Sequence, residues 1–247
     1  MVDIKKYKKE IKKKILNNDN SLSGCTGYCF IESKKVIKIY NRPYNDLEIE
    51  DLSGYSSSRI SFPYEYIKKR KFYLGEVLPY FAVGNILDSI QLNCDLDKLI
   101  ENYKILVDEI IKYHDIVMYD LSYPNILYDE NKGFFLIDVT NWKKYSIYDD
   151  NIKKINISSL NDSLMYCFYD MLFGNGFDLI IGNRENDMYI CNILGMDFYN
   201  LYLQGRNKTY DFLKLLNMYR EIMLKKYGIF INNTEDMKKS VKILKKS

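Results

Sequence analysis

Histidine occurs once in the 247 residues, at His114, and this scarcity excludes more chemistry than any other count. An HExxH zinc site or a two-histidine metal face is ruled out, and a histidine-dependent triad could be built only on His114. That residue closes the apolar stripe of a long helix, where a histidine usually packs and bonds to backbone, so we read it as structural. The five cysteines (Cys25, Cys29, Cys94, Cys167 and Cys191) contain no CxxC pair. Their odd number and wide scatter fit free thiols in a reducing compartment better than a disulfide framework. No apolar run approaches the roughly 18 residues of a membrane span, and the charged opening MVDIKKYKKEIKKK lacks the apolar centre of a secretory signal. A soluble, cytoplasmic protein is the expectation. Net charge is +3, from 36 basic and 33 acidic residues, too balanced to call for nucleic acid. The 24 tyrosines accompany abundant Lys, Ile and Asn, which a biased codon pool explains without base stacking.

What is present reads as globular, with 47% hydrophobic and 28% charged residues and length enough for one large domain or two small lobes around a cleft. Ile4, Tyr7, Ile11 and Ile15 form a helical stripe among lysines, which predicts an amphipathic helix packed on the domain, with membrane or partner docking as the alternative. Met237, Val241 and Leu244 repeat the pattern near the end. From Gly27 to about Tyr80 the texture is β-rich (GYCFI, KVIKIY, FYLGEVL), interrupted by one helical stretch, NDLEIEDL, and the polar SGYSSS. From Leu96 the apolar residues step by three and one through Leu99, Ile100, Tyr103, Leu106, Val107, Ile110 and Ile111 to His114, a long buried helix face. The boundary falls near residue 80, giving residues 1–80 and 81–247 as two parts.

The stretch HDIVMYDLSYPNILYDENKGFFLIDVTNW carries the chemistry. Asp120 and Asn125, five residues apart, lead into the short β-like run NIL. A DENKG turn follows, and a second run, FFLI, returns to Asp138, thirteen residues after Asn125. An amide and a carboxylate meeting at one end of a hairpin suit Mg²⁺, which takes a few hard oxygen ligands. The other carboxylate is then free to orient a hydroxyl nucleophile.

The pattern D-L-x-x-x-N-I-L…L-I-D resembles the catalytic and metal-binding segments of the protein-kinase-like superfamily. The resemblance implies an α+β, two-lobed kinase-like fold, with a small β-rich N-lobe (residues 1–80) and a mainly helical C-lobe (residues 81–247). It assigns Asp120 to the acceptor hydroxyl, and Asn125 and Asp138 to Mg²⁺. GCTGYCFIESKKVIKIY is similar to the family's glycine loop and phosphate-contacting strand lysine, here Gly24, Gly27 and Lys38. Cys25 lies within that loop. An ion-pair partner for Lys38 is expected on the next helix, where Glu48 and Glu50 compete and Glu48 with Leu52 matches the family's E-x-x-x-L. GEVLPYF looks like the strand and hinge that hold adenine, with backbone groups near Pro79 and Phe81. The implied activity is transfer of the γ-phosphoryl group of ATP to a hydroxyl acceptor.

Several features depart from the family. The loop is GxxG rather than GxGxxG; Tyr119 stands where many members have Arg; Ser122 replaces a lysine; Val139-Thr140 follow Asp138. The four prolines (43, 63, 79 and 124) leave none downstream for an APE segment. These favour a small-molecule kinase of the aminoglycoside or choline type. Against that, forty residues from Tyr80 to Asp120 leave no room for the extra helices such enzymes use around their acceptor. An atypical protein kinase acting on Ser or Thr is the preferred expectation. The small-molecule kinase comes second and a nucleotide-binding pseudokinase scaffold third.

Overall fold

Aromatic and β-branched residues crowd β1 (Gly27–Glu32) and β2 (Lys35–Tyr44), and the intervening Ser33 and Lys34 both have positive φ, 48° and 66°. That is the geometry of a tight hairpin whose turn matches the right-handed twist of its strands. A second hairpin joins β3 (Glu65–Lys69) to β4 (Phe72–Pro79), turning at Arg70 with φ 56°. The four strands form one antiparallel sheet in the order β1-β2-β4-β3. Its register sets Lys38 directly opposite Cys29 on one side and Glu76 on the other. Gly75 makes this closeness possible, because a Cβ there would stand 2.3 Å from the Lys38 carbonyl oxygen.

These coordinates are a computed structural model that describes residues 3–16, 26–86, 93–145, 150–173, 188, 191–206 and 211–244. The N-terminal stripe forms helix α1 (Ile4–Leu16), and it docks on the sheet. Tyr7 is buried against the Phe30 ring, with centroids 4.9 Å apart, while Ile4 and Ile11 pack over Ile37, Ile39, Ile67 and Val77. Lys6 pairs with Glu32 at 2.6 Å. The apolar face of α1 is thus covered by its own sheet as far as Ile11, while Ile15, the last member of the stripe, is exposed.

The connection from β2 to β3 corrects one expectation: NDLEIEDL is not an α-helix but a single turn. Asn45 Oδ1 accepts from Leu47 N at 2.9 Å, and Glu48 Oε2 accepts from Asn45 N at 3.0 Å. These are the reciprocal bonds of a helix-starting box. One turn later Asp51 captures the Ser53 amide (3.1 Å) and Gly54 follows, so the helix does not propagate. The chain drops Leu52, Ile60 and Phe62 into the main core and zips onto the strand before Asp138. Ser61 N bonds to Leu136 O at 2.9 Å, and Leu136 N to Arg59 O at 2.8 Å.

Helix α2 (Leu96–Ile110) is capped by Asp95, whose carboxylate accepts from Lys98 N at 2.9 Å. It stops short of the stripe read from sequence. Lys112 and Tyr113 bond three residues back, to Glu109 and Ile110, and His114 lies half-buried beyond the helix end. The two-residue strands β5 (Ile116–Val117) and β8 (Lys143–Lys144) pair with each other, and β6 (Ile126–Asp129) with β7 (Gly133–Leu136). Helices α3 (Asp150–Phe173), α4 (Met196–Arg206), α5 (Phe212–Tyr227) and α6 (Thr234–Leu244) complete the helical part. One core cluster joins them to α2, including Trp142, Leu160, Phe198, Leu216 and Met237. The architecture is α+β: an N-terminal sheet followed by a mainly helical region. Among the described residues no helix is long and apolar enough to cross a membrane.

Candidate functional site

A cavity of about 290 Å³ opens between the sheet and the β6–β7 hairpin. Its apolar walls come from both sides, Val36 and Leu78 from the sheet and Leu127 and Ile137 from the hairpin and its exit. Its charged and amide side chains are Lys38, Asn125 and Asp138, from three separate elements, and Thr26 and Ser61 also line it. A slot with apolar walls and a few convergent polar groups at one end suits a flat, partly apolar ligand with a charged tail.

Lys38 is the centre of the polar end, with 3% of its surface exposed. Its ammonium donates to Asp138 Oδ1 at 2.5 Å and to Thr140 Oγ1 at 2.8 Å, and lies 3.6 Å from Glu76 Oε1. The Thr140 hydroxyl stands 2.8 Å from Asp138 Oδ1 and 3.0 Å from Glu76 Oε1, so its single proton has two acceptors to choose between. Burial opposes the charge on Lys38, but Glu76 and Asp138 outweigh it and hold the ammonium above its ordinary value. Burial also pushes Glu76 up, and Lys38 offsets this only in part. At Asp138 the balance reverses: burial raises the carboxyl, yet the Lys38 charge and the bonds from Lys38 and Thr140 bring it below the usual range. Two carboxylates around one lysine are therefore driven in opposite directions, a pattern that gives neighbouring acids different roles.

Five non-glycine residues have positive φ among the described residues. Ser33, Lys34 and Arg70 are at hairpin turns. The other two are Asp120 (φ 60°) and Asp138 (φ 57°), where no two-residue hairpin accounts for the conformation. Such a backbone costs roughly 1–2 kcal/mol per residue and persists where surrounding bonds enforce it. Around Asp120 those bonds are identifiable. Asn125 Nδ2 donates to the Asp120 carbonyl at 3.0 Å, and Ser122 Oγ donates to Asp120 Oδ1 at 2.8 Å. Below the loop, fully buried Asn156 of α3 accepts from Met118 N at 2.9 Å and donates to Ile116 O at 2.8 Å. Ser163 of the same helix donates to the Leu121 carbonyl. The loop that presents Asp120 is thus clamped on both flanks.

The structure brings Gly27, Lys38, Pro79, Phe81, Asn125 and Asp138 to one cavity. Asp120 is exposed and connects to it through Asn125. Phe81 rests on the Phe135 ring, centroids 4.6 Å apart, and its carbonyl accepts from Val83 N at 2.8 Å. Gly27 is required by the sheet itself, since a Cβ would meet the Ile39 carbonyl oxygen at 2.4 Å. Gly24 and Cys25 lie outside the described residues. The expected Lys38–Glu48 pair does not form. The Glu48 carboxylate closes the turn at Asn45 and pairs with Arg42 at 2.6 Å, which leaves the strand residue Glu76 as the carboxylate opposite Lys38. Sequence reasoning missed Glu76, Thr140 and Asn156. The one signal for Glu76 was a charge inside an otherwise apolar strand, which demands a buried partner.

Among the described residues no three His, Cys, Asp or Glu side chains converge as a self-sufficient metal site. Asn125 and Asp138 nonetheless suit Mg²⁺. The Asn125 amide is oriented by donating its nitrogen to Asp120 O, which leaves Oδ1 without a donor among the described residues. Both side-chain donors to Asp138 take Oδ1, leaving Oδ2 clear of them. Mg²⁺ commonly completes such a two-oxygen set with substrate phosphates and water. No known family model matches the chain, and no curated protein matches it.

Proposed function

We propose that this chain is an ATP-dependent phosphotransferase of kinase-like fold that moves the γ-phosphoryl group to a hydroxyl acceptor, a protein serine or threonine being preferred. The observation that carries the reading is the meeting of Lys38, Asn125 and Asp138 at one end of an apolar slot about 290 Å³ in volume. Adenine would lie between Val36 and Leu78 on one side and Leu127 on the other, with backbone near Pro79 and Phe81 at its edge. Lys38 would bind the α/β-phosphates, being a buried cation with little competing solvent. Mg²⁺, held by Asn125 Oδ1 and Asp138, would neutralise charge on the phosphates. Asp120, exposed beside the cavity, would accept the proton of the attacking hydroxyl. Transfer of this kind depends on positioning and charge stabilisation, to which the clamped loop and the buried lysine are suited.

The test is transfer of label from γ-labelled ATP in an extract of the source cells, comparing wild type with Asp120→Asn. The reading expects wild-type-specific label in protein and a loss of roughly 10²–10⁴ in rate for the variant, the usual worth of a positioned base. Label confined to small molecules would move the acceptor to a metabolite. Asp120→Asn as fast as wild type would remove Asp120 from the chemistry. MgATP binding without transfer to any pool would favour a scaffold.

A further inference from the structure

We propose that Glu76 is the positioning residue for Lys38, so that the phosphate-facing lysine is anchored from within its own sheet and not by a carboxylate on a movable helix. The inference rests on the nucleotide reading above. Its basis is register: Lys38 and Glu76 are direct cross-strand partners in β2 and β4, both are buried, and Nζ lies 3.6 Å from Oε1. Directly opposed side chains in an antiparallel pair are held about 5 Å apart at Cβ by the ladder of backbone bonds. That spacing cannot open without breaking the sheet. Gly75 adjoins the pair and permits the close approach of the strands.

The competing anchor is absent for a structural reason. Residues 45–52 make one turn rather than a helix; of their acids, Glu48 pairs with Arg42 at 2.6 Å and Asp51 with Lys68 at 2.8 Å, and the other candidate, Glu50, forms no ion pair with Lys38 either. Among the described residues, Glu76 and Asp138 are the only carboxylates within ion-pair distance of Lys38. Asp138 cannot be the lasting anchor in the proposed reaction, since it is also the metal ligand. Glu76 is free of that duty. It is fully buried, and its Oε1 is joined to Lys38 through the Thr140 hydroxyl. The consequence is a phosphate site assembled whenever the sheet is folded, with no helix rotation available to disconnect the lysine.

The experiment is a double-variant cycle on Glu76 and Lys38, read as ATP affinity by calorimetry and as stability in urea. If Glu76 acts through Lys38, Glu76→Gln weakens ATP binding roughly tenfold in the otherwise wild-type chain and adds no further loss in a Lys38→Met background. Glu76→Asp, which keeps the charge, should retain most of the affinity, and Glu48→Gln should equal wild type. Unchanged affinity in Glu76→Gln, an equal loss in Glu48→Gln, or a full additional loss in the Lys38→Met background overturns the inference. If Glu76→Gln does not fold, Glu76→Leu, which leaves no buried polar atom, is read in its place against the same expectations. Wild type that binds no ATP would instead count against the nucleotide reading. The urea cycle, which needs no nucleotide, then tests the pair by itself: a Glu76→Gln loss that persists in full in the Lys38→Met background overturns the inference.

Discussion

Lys38→Met removes the one cation that, among the described residues, pairs with Glu76, a glutamate that is 0% exposed, and its effect on stability can be worked from the geometry. Removing one member of a buried pair typically costs about 3–5 kcal/mol, because the remaining charge is left without compensation. Asp138 also loses its partner, but its side chain is 31% exposed and water can replace part of the interaction. The cost therefore falls mainly on Glu76, which escapes it by taking up a proton. Burial already raises Glu76 with Lys38 present, and without the lysine the shift must grow. A carboxyl raised on folding gives stability that is greatest below its unfolded pKa and is lost as pH climbs toward the folded value. Lys38→Met should thus lose stability as pH rises from mildly acid to mildly alkaline, by up to about 1.4 kcal/mol per pH unit for the single proton. Wild type should fall less steeply, since Lys38 opposes the shift. Urea unfolding followed by fluorescence of Trp142, the sole tryptophan and fully buried, measures this directly. The double variant Lys38→Met/Glu76→Gln should recover most of the loss, having no charge left to desolvate. A pH-independent loss, or a double variant as unstable as the single one, would refute the claim that these residues are a coupled buried pair.

Two further changes probe the supports of the site. Gly75→Ala drives a methyl to 2.3 Å from the Lys38 carbonyl, and the strands must part; we expect a loss of about 1–3 kcal/mol in urea unfolding, and a neutral effect would mean the sheet adapts freely. Asn156→Leu keeps the volume but strands the Met118 amide and the Ile116 carbonyl, each costing roughly 1–3 kcal/mol when buried and unpaired. Hydrogen exchange should accelerate at Met118, and an unaltered rate there would show that Asn156 does not clamp the loop.

The β-branched and aromatic run KVIKIY and the apolar runs bracketing DENKG are local signals, and the strands and hairpin they predicted are present. The first helix was also legible, and the stripe Ile4–Tyr7–Ile11 is what docks it on the sheet. NDLEIEDL misled because a helix start and a helix share their first turn; only the Asp51–Ser53 bond and Gly54 decide that propagation fails. That error displaced Glu48 toward Lys38. The true neighbour, Glu76, is separated from Lys38 by a long connection, and cross-strand register does not show in composition or period. Asn156 is harder still, since its role depends on two backbone groups forty and thirty-eight residues away.

The central claim, a cavity that binds nucleotide phosphates through Lys38, Asn125 and Asp138, is tested most directly by calorimetric titration of ATP with and without Mg²⁺. Wild type is expected to bind ATP markedly more tightly with Mg²⁺, and Asp138→Ala to lose that enhancement while remaining folded by Trp142 fluorescence. Binding that ignores both Mg²⁺ and the Asp138 substitution, or no binding of ATP under any condition, would contradict the account.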